Sequence, residues 1–109
     1  MAQDPQNLLE LRLKKAREAY VAKKFHLALV EAEELLDHHP DDVDALMIVG
    51  DSSLELGEAL GAEAAFCRIL EFRSDSVSAL CGMAIARFEL TELESAIGHA
   101  TQALELSPE

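Results

Sequence analysis

Positive charge is what this sequence has least of: nine lysines and arginines face 21 aspartates and glutamates, for a net charge of −12. That balance excludes nucleic acid as a partner, because phosphates call for a basic surface. Long apolar runs are missing too. The longest, Ala45–Val49, falls far short of the ~20 residues that a membrane-spanning helix needs, so membrane insertion is excluded. Residues 1–7 have neither a basic start nor an apolar core, and no secretory signal is expected there. Cysteine is limited to Cys67 and Cys81, too few for a disulfide framework. A soluble protein in the reducing cytoplasm is the expectation.

The chemistry of catalysis is also missing. The chain has no glycine-rich phosphate loop, no nucleophile–base pair at a recognisable spacing and no metal-ligand signature. His38 and His39 are neighbours in sequence, so on a helix they do not face each other; near a helix end they favour the dipole instead. No enzyme, cofactor or metal is therefore expected.

What is present is helical periodicity, repeated. Half of the residues are apolar, and they recur at helical spacing, with no strand-like alternation. Asp4-Pro5 reads as an N-cap and first helical position, opening a helix to about Lys23 with Leu9, Leu13, Ala16 and Tyr20 on one stripe. Further helices are predicted over about 25–37, 45–56, 58–72, 77–90 and 92–106. Asp42 and Ser76 stand as N-caps, Gly57 as a C-terminal stop, and Thr91 with Glu94 as a capping box. Gly61, inside a predicted helix, is expected to permit a close helix contact. Aligned at a spacing of 34, Ala28, Ala62 and Ala96 fall in register. So do Ala16, Gly50 and Ala84, then Leu36, Leu70 and Leu104, then Pro40, Ser74 and Pro108. A fixed period of this length marks a stacked helix-turn-helix solenoid.

These residues resemble the tetratricopeptide repeat. That family places a small residue midway along its first helix, as at Ala16, Gly50 and Ala84, and an alanine early in its second, as at Ala28, Ala62 and Ala96. Phe25 and Leu93, and more weakly Ala59, match the apolar residue before that alanine. The closing proline is present as Pro40 and Pro108, and the hairpin glycine as Gly57. The resemblance covers residues 9–109 and implies an all-α, right-handed superhelical solenoid of three repeats, 9–42, 43–76 and 77–109, with 1–8 extending the first helix. Departures concentrate in the first unit. Arg12 stands in place of the family's tryptophan, where the other copies have Leu46 and Leu80, and Lys15 stands where they have Val49 and Met83. The first helix is therefore expected to be rotated or only loosely repeat-like.

The resemblance further implies a non-catalytic module that binds a protein or peptide in a groove lined by the first helix of each unit. Carried over by register, its principal candidates are Leu13, Arg17 and Tyr20, then Met47, Asp51 and Leu54, then Cys81, Ile85 and Phe88. Asp44, Ile48, Ser78 and Gly82 line it as well. Relatives that hold acidic chaperone tails use a clamp of lysines, asparagines and an arginine; here Leu13, Ile48, Ser78 and Gly82 occupy four of its five positions, and only Arg17 could donate. A mixed apolar and acidic groove suits an apolar or amphipathic segment carrying some positive charge. The same apolar residues would serve equally to pack one unit on the next. A second reading comes from the uneven charge. Residues 1–24 hold six basic and three acidic residues, while 25–109 hold three basic and eighteen acidic ones. A basic first helix (Arg12, Lys15) could meet an uncapped last hairpin (Ile97, Leu104, Leu106) of another copy, giving a homo-oligomer stacked head to tail.

Overall fold

The computed structural model describes residues 5–107, which form six α-helices: α1 (Pro5–Val21), α2 (Phe25–His38), α3 (Val43–Glu55), α4 (Ala59–Phe72), α5 (Val77–Glu89) and α6 (Leu93–Leu106). Asp4, expected as the first N-cap, and Pro108, the expected closing proline, lie outside the described residues. The helices are an all-α solenoid of three hairpins, each packed on the next. Its extents of 53 × 25 × 24 Å and radius of gyration of 14.5 Å exceed the ~13 Å of a compact domain of this length.

Two kinds of local chemistry set the chain reversals. Between hairpins, Asp42 Oδ1 accepts the Ala45 amide at 2.9 Å and Ser76 Oγ accepts the Ala79 amide at 3.2 Å, so both expected caps are made. Within hairpins, Lys23, Gly57 and Thr91 take φ of 62°, 75° and 62°, again 34 residues apart. Each turn closes with the same two backbone bonds. The amides of Lys24, Glu58 and Glu92 reach back to the carbonyls of Ala19, Ser53 and Arg87 at 2.8 Å, and the residue before each bonds three back. This is the left-handed helix stop that glycine adopts most readily.

The expected capping box at Thr91 is therefore corrected. Thr91 is the left-handed turn residue, its hydroxyl donates to the Leu90 carbonyl at 2.6 Å, and Glu92 precedes α6 without a side-chain cap bond. A helix cannot begin until that turn has closed, and this moves its start past Thr91.

The core is built on small residues in register. Ala28 and Ala62 are fully buried and Ala96 is nearly so, which lets the two helices of each hairpin cross closely. One cluster joins α1, α2 and α3 through Leu13, Ala16, Ala32, Leu35, Ala45 and Ile48. A second joins α3, α4 and α5 around Leu46, Phe66, Ile69, Ala79 and Met83. Alpha-1 is not rotated out of the pattern, as had been expected: Leu13, Ala16 and Ala19 all face the core, and its closing turn matches the other two. Lys15 remains exposed on the face by which α3 and α5 dock onto the hairpin before them.

Phe66 is the largest fully buried side chain among the described residues, at a position where the other two copies have alanine. A Cβ on Gly50 would stand 2.6 Å from its ring, and one on Gly82 2.4 Å. Both glycines are there to admit the ring between α3 and α5. Gly82, expected to line the groove, is buried against Phe66 instead. Gly61 is corrected as well: a Cβ there would meet only the Ser53 side chain, Oγ at 3.4 Å and Cβ at 3.8 Å, both ordinary contacts.

Candidate functional site

Alpha-1 lies beside α3, and α3 beside α5, whereas α2, α4 and α6 do not approach one another. The first helices of the hairpins therefore form the inner layer of the curve, and their free stripe is its inner face. Helical spacing puts Asp44, Met47, Ile48 and Asp51 on one side of α3, opposite Arg17, Tyr20 and Val21 of α1. Together they line a hollow of about 280 Å³.

The hollow has an apolar floor and acidic walls. Met47 is half-buried, and the Tyr20 ring is braced edge-on by Phe25 with centroids 5.4 Å apart. Arg17 is paired with a carboxylate of the same wall, its guanidinium lying 3.5 Å from Asp44. That pair is exposed and worth at most ~1 kcal/mol, but it neutralises the one cation of the wall. Burial raises the Asp51 carboxyl above its ordinary value, and the neighbouring Glu55 raises it further. The Tyr20 phenol is raised by burial first, then by Asp51 and Glu55. Burial leads both shifts; the smaller contributions from Asp51 and Glu55 mark local negative charge, which a cation entering the hollow would relieve.

The structure brings together Arg17, Tyr20, Met47 and Asp51 of the expected groove residues. Leu13 is corrected: it is 7% exposed in the first core, closed off as α3 packs on α1. Leu54 is half-buried against the second core, and Phe88 is 64% exposed at the register position of Tyr20 and Leu54. Cys81 and Ile85 do not join the hollow. With Val77, Ala84, Ala100, Ala103 and Leu104 they line a separate cleft of about 510 Å³ between α5 and α6. Ala84 was expected only as the small residue of a helix crossing, and the sequence reading assigned Val77 and Ala103 to no site.

Of the residues expected in self-association, Lys15 is exposed and Arg12 half-buried, the latter beside Leu8, Leu9, Leu35, His38 and His39 in a hollow of about 290 Å³. Ile97, Leu104 and Leu106 are all more than half exposed. Cys67 and Cys81 are free and exposed on different helices. Among the described residues no three His, Cys, Asp or Glu side chains gather as metal ligands, and no helix is long and apolar enough to cross a membrane.

The same architecture recurs in solved structures. The tetratricopeptide domain of Arabidopsis OM64 superposes with a TM-score of 0.90 at 22% identity, over 94% of this chain and 85% of that one. The first such domain of Spaghetti (RPAP3), bound to the HSP90 peptide SRMEEVD, gives 0.90 at 21% identity, over 97% and 83%. The O-GlcNAc transferase of Thermobaculum terrenum gives 0.90 at 21% identity, over all of this chain but only 21% of the enzyme. The fold is thus that of tetratricopeptide-repeat domains. At the level of sequence, no family model and no curated protein matches the chain.

Proposed function

We propose that the chain is a non-catalytic interaction module whose inner face binds an amphipathic, positively charged peptide or partner segment. The three units are taken as 9–42, 43–76 and 77–109, and the two free, exposed cysteines suit a reducing, cytoplasmic setting. One observation carries the reading: Tyr20 and Met47 lie beside Asp44 and Asp51, with the only arginine of the hollow already paired. An apolar floor flanked by carboxylates receives a side chain such as leucine next to lysine. The Spaghetti domain holds an acidic peptide. With Leu13, Ile48 and Gly82 buried and Arg17 engaged, this chain has the opposite polarity.

Fluorescence anisotropy with a labelled leucine–lysine peptide and with SRMEEVD tests this directly. The basic peptide is expected to bind saturably and SRMEEVD not to bind. Met47→Glu and Asp51→Lys should each abolish capture while circular dichroism shows helicity intact. Unchanged affinity in both folded variants, or preference for SRMEEVD, overturns the assignment.

A further inference from the structure

Three arginines of this acidic chain are held by its own carboxylates: Arg17 by Asp44, Arg68 by Asp41 and Glu71, and Arg87 by Glu63 and Glu92. Arg12 makes no ion pair with a described carboxylate, although the net charge is −12. Its place in the repeat differs as well. Its counterparts in the other two copies are Leu46 and Leu80, which are 6% and 2% exposed. A leucine turns its whole side chain inward. An arginine lays its stem along apolar surface and keeps its guanidinium at the edge of water. The space that leucine fills in the other copies is left open beside Arg12.

That space is the hollow of about 290 Å³ between the start of α1 and the end of α2. Leu8, Leu9 and Leu35 give it apolar walls, with Leu35 only 1% exposed, and Arg12, His38 and His39 supply its polar groups. No described carboxylate lines it. Asp41, two residues past His39, is turned away and accepts from Arg68 at 2.7 Å. The two helices are antiparallel, so the amino end of α1 and the carboxyl end of α2 meet here with opposed dipoles that offset each other. The side chains therefore set the sign of the potential, and it is positive.

The lining specifies an occupant with two unlike parts. A guanidinium presents parallel N–H groups that match the two oxygens of a carboxylate, and each imidazole has an N–H to donate in either neutral tautomer. A bare inorganic anion would leave the leucine walls in water, whereas an apolar body would cover them. Size limits that body. A closed cavity of ~150 Å³ holds benzene, so this hollow takes one ring and a short acid chain. Its walls come from a single helix pair, which makes it a pit for a small molecule and not a channel for a length of peptide.

We propose that the hollow beside Arg12 is a binding site for a small carboxylate with an apolar body, aryl or alkyl. The body lies against Leu8, Leu9 and Leu35, and the carboxylate accepts from Arg12, with His38 and His39 at the rim. The site shares no residue with the inner-face hollow and does not rest on the function proposed for that face.

The probe is 3-phenylpropionate, titrated into the full chain at neutral pH and followed by amide NMR. Saturable shifts are expected at Leu9, Arg12, Leu35 and His39 but not at Tyr20 or Met47, with a Kd on the order of 0.1–1 mM. The uncharged 3-phenylpropionamide should bind about tenfold more weakly. Arg12→Gln should weaken the acid about tenfold and leave the amide unchanged. Arg12→Leu, which copies the other two repeats, should abolish binding of both and raise the melting temperature by filling the hollow. Met47→Glu should leave the affinity for the acid as it was.

Equal affinity for acid and amide overturns the site, as does an Arg12→Gln chain that holds the acid as tightly as before. Shifts confined to the inner face, or no saturable binding up to about 10 mM, do the same. Self-association that is lost with Arg12→Gln, read by light scattering, would assign the hollow to a second copy and equally overturn the proposal. Failure of the basic peptide alone, with the acid still bound, removes the inner-face reading and leaves this site standing.

Discussion

Ser52 is fully buried in α3, and its hydroxyl has no hydrogen-bond partner. An unpaired buried hydroxyl costs free energy that water would otherwise have supplied. Ala86, its counterpart one repeat later, is fully buried without that penalty. Ser52→Ala is therefore expected to stabilise the protein by ~1 kcal/mol, read as a higher urea midpoint at unchanged slope. A lower midpoint would show that the hydroxyl is paired after all. Phe66 gives the opposite lesson. Its position is alanine in the other two copies, and the ring fits only because Gly50 and Gly82 give way on both sides. Each glycine is visible in the sequence, but which side chain it makes room for is a distance between three helices.

At the scale of the element, the helices follow from apolar spacing and from Asp42 and Ser76, whose side chains bond amides three residues on in sequence. The hairpin turns were half legible. Gly57 announces its turn, while Lys23 and Thr91 occupy the same backbone conformation against their preference. A β-branched residue at positive φ is a strained outlier. Thr91→Gly is expected to raise stability by ~1 kcal/mol, seen as a melting temperature several degrees higher. A fall on substitution would mean that the Thr91 hydroxyl bond to the Leu90 carbonyl outweighs the relief of strain. The Thr91–Glu94 pattern misleads because a capping box and a left-handed turn can share a threonine, and only the closed turn decides which one forms.

For the whole molecule, charge is the governing quantity. Asp51 binds its proton more tightly in the folded state than in the unfolded one, because burial and Glu55 disfavour its charged form. Its cost to stability is therefore fully present above the raised value and fades as pH falls through it toward the ordinary carboxylate range. Asp51→Asn should stabilise the fold at neutral pH, with the gain shrinking on acidification. Denaturation midpoints of the two proteins at pH 7 and in the acid range test this; a gain that grows on acidification contradicts it. A lysine-bearing ligand favours the charged carboxylate, so its affinity should weaken over the same acid interval.

The 34-residue period, the six helices, the acidic balance and the small residues at the helix crossings were all determined by the order of amino acids, because each depends on spacing along one chain. Which face of each helix stays open was settled by packing. Leu13 and Gly82 left the expected groove when α3 closed over one and Phe66 filled the space before the other. Arg17 was paired across two helices with Asp44, while Cys81 and Ile85 lie in a separate cleft that α5 forms with α6. Periodicity places side chains around a helix axis; burial and charge pairing depend on what the neighbouring helices bring within a few ångströms, and only the tertiary structure supplies that.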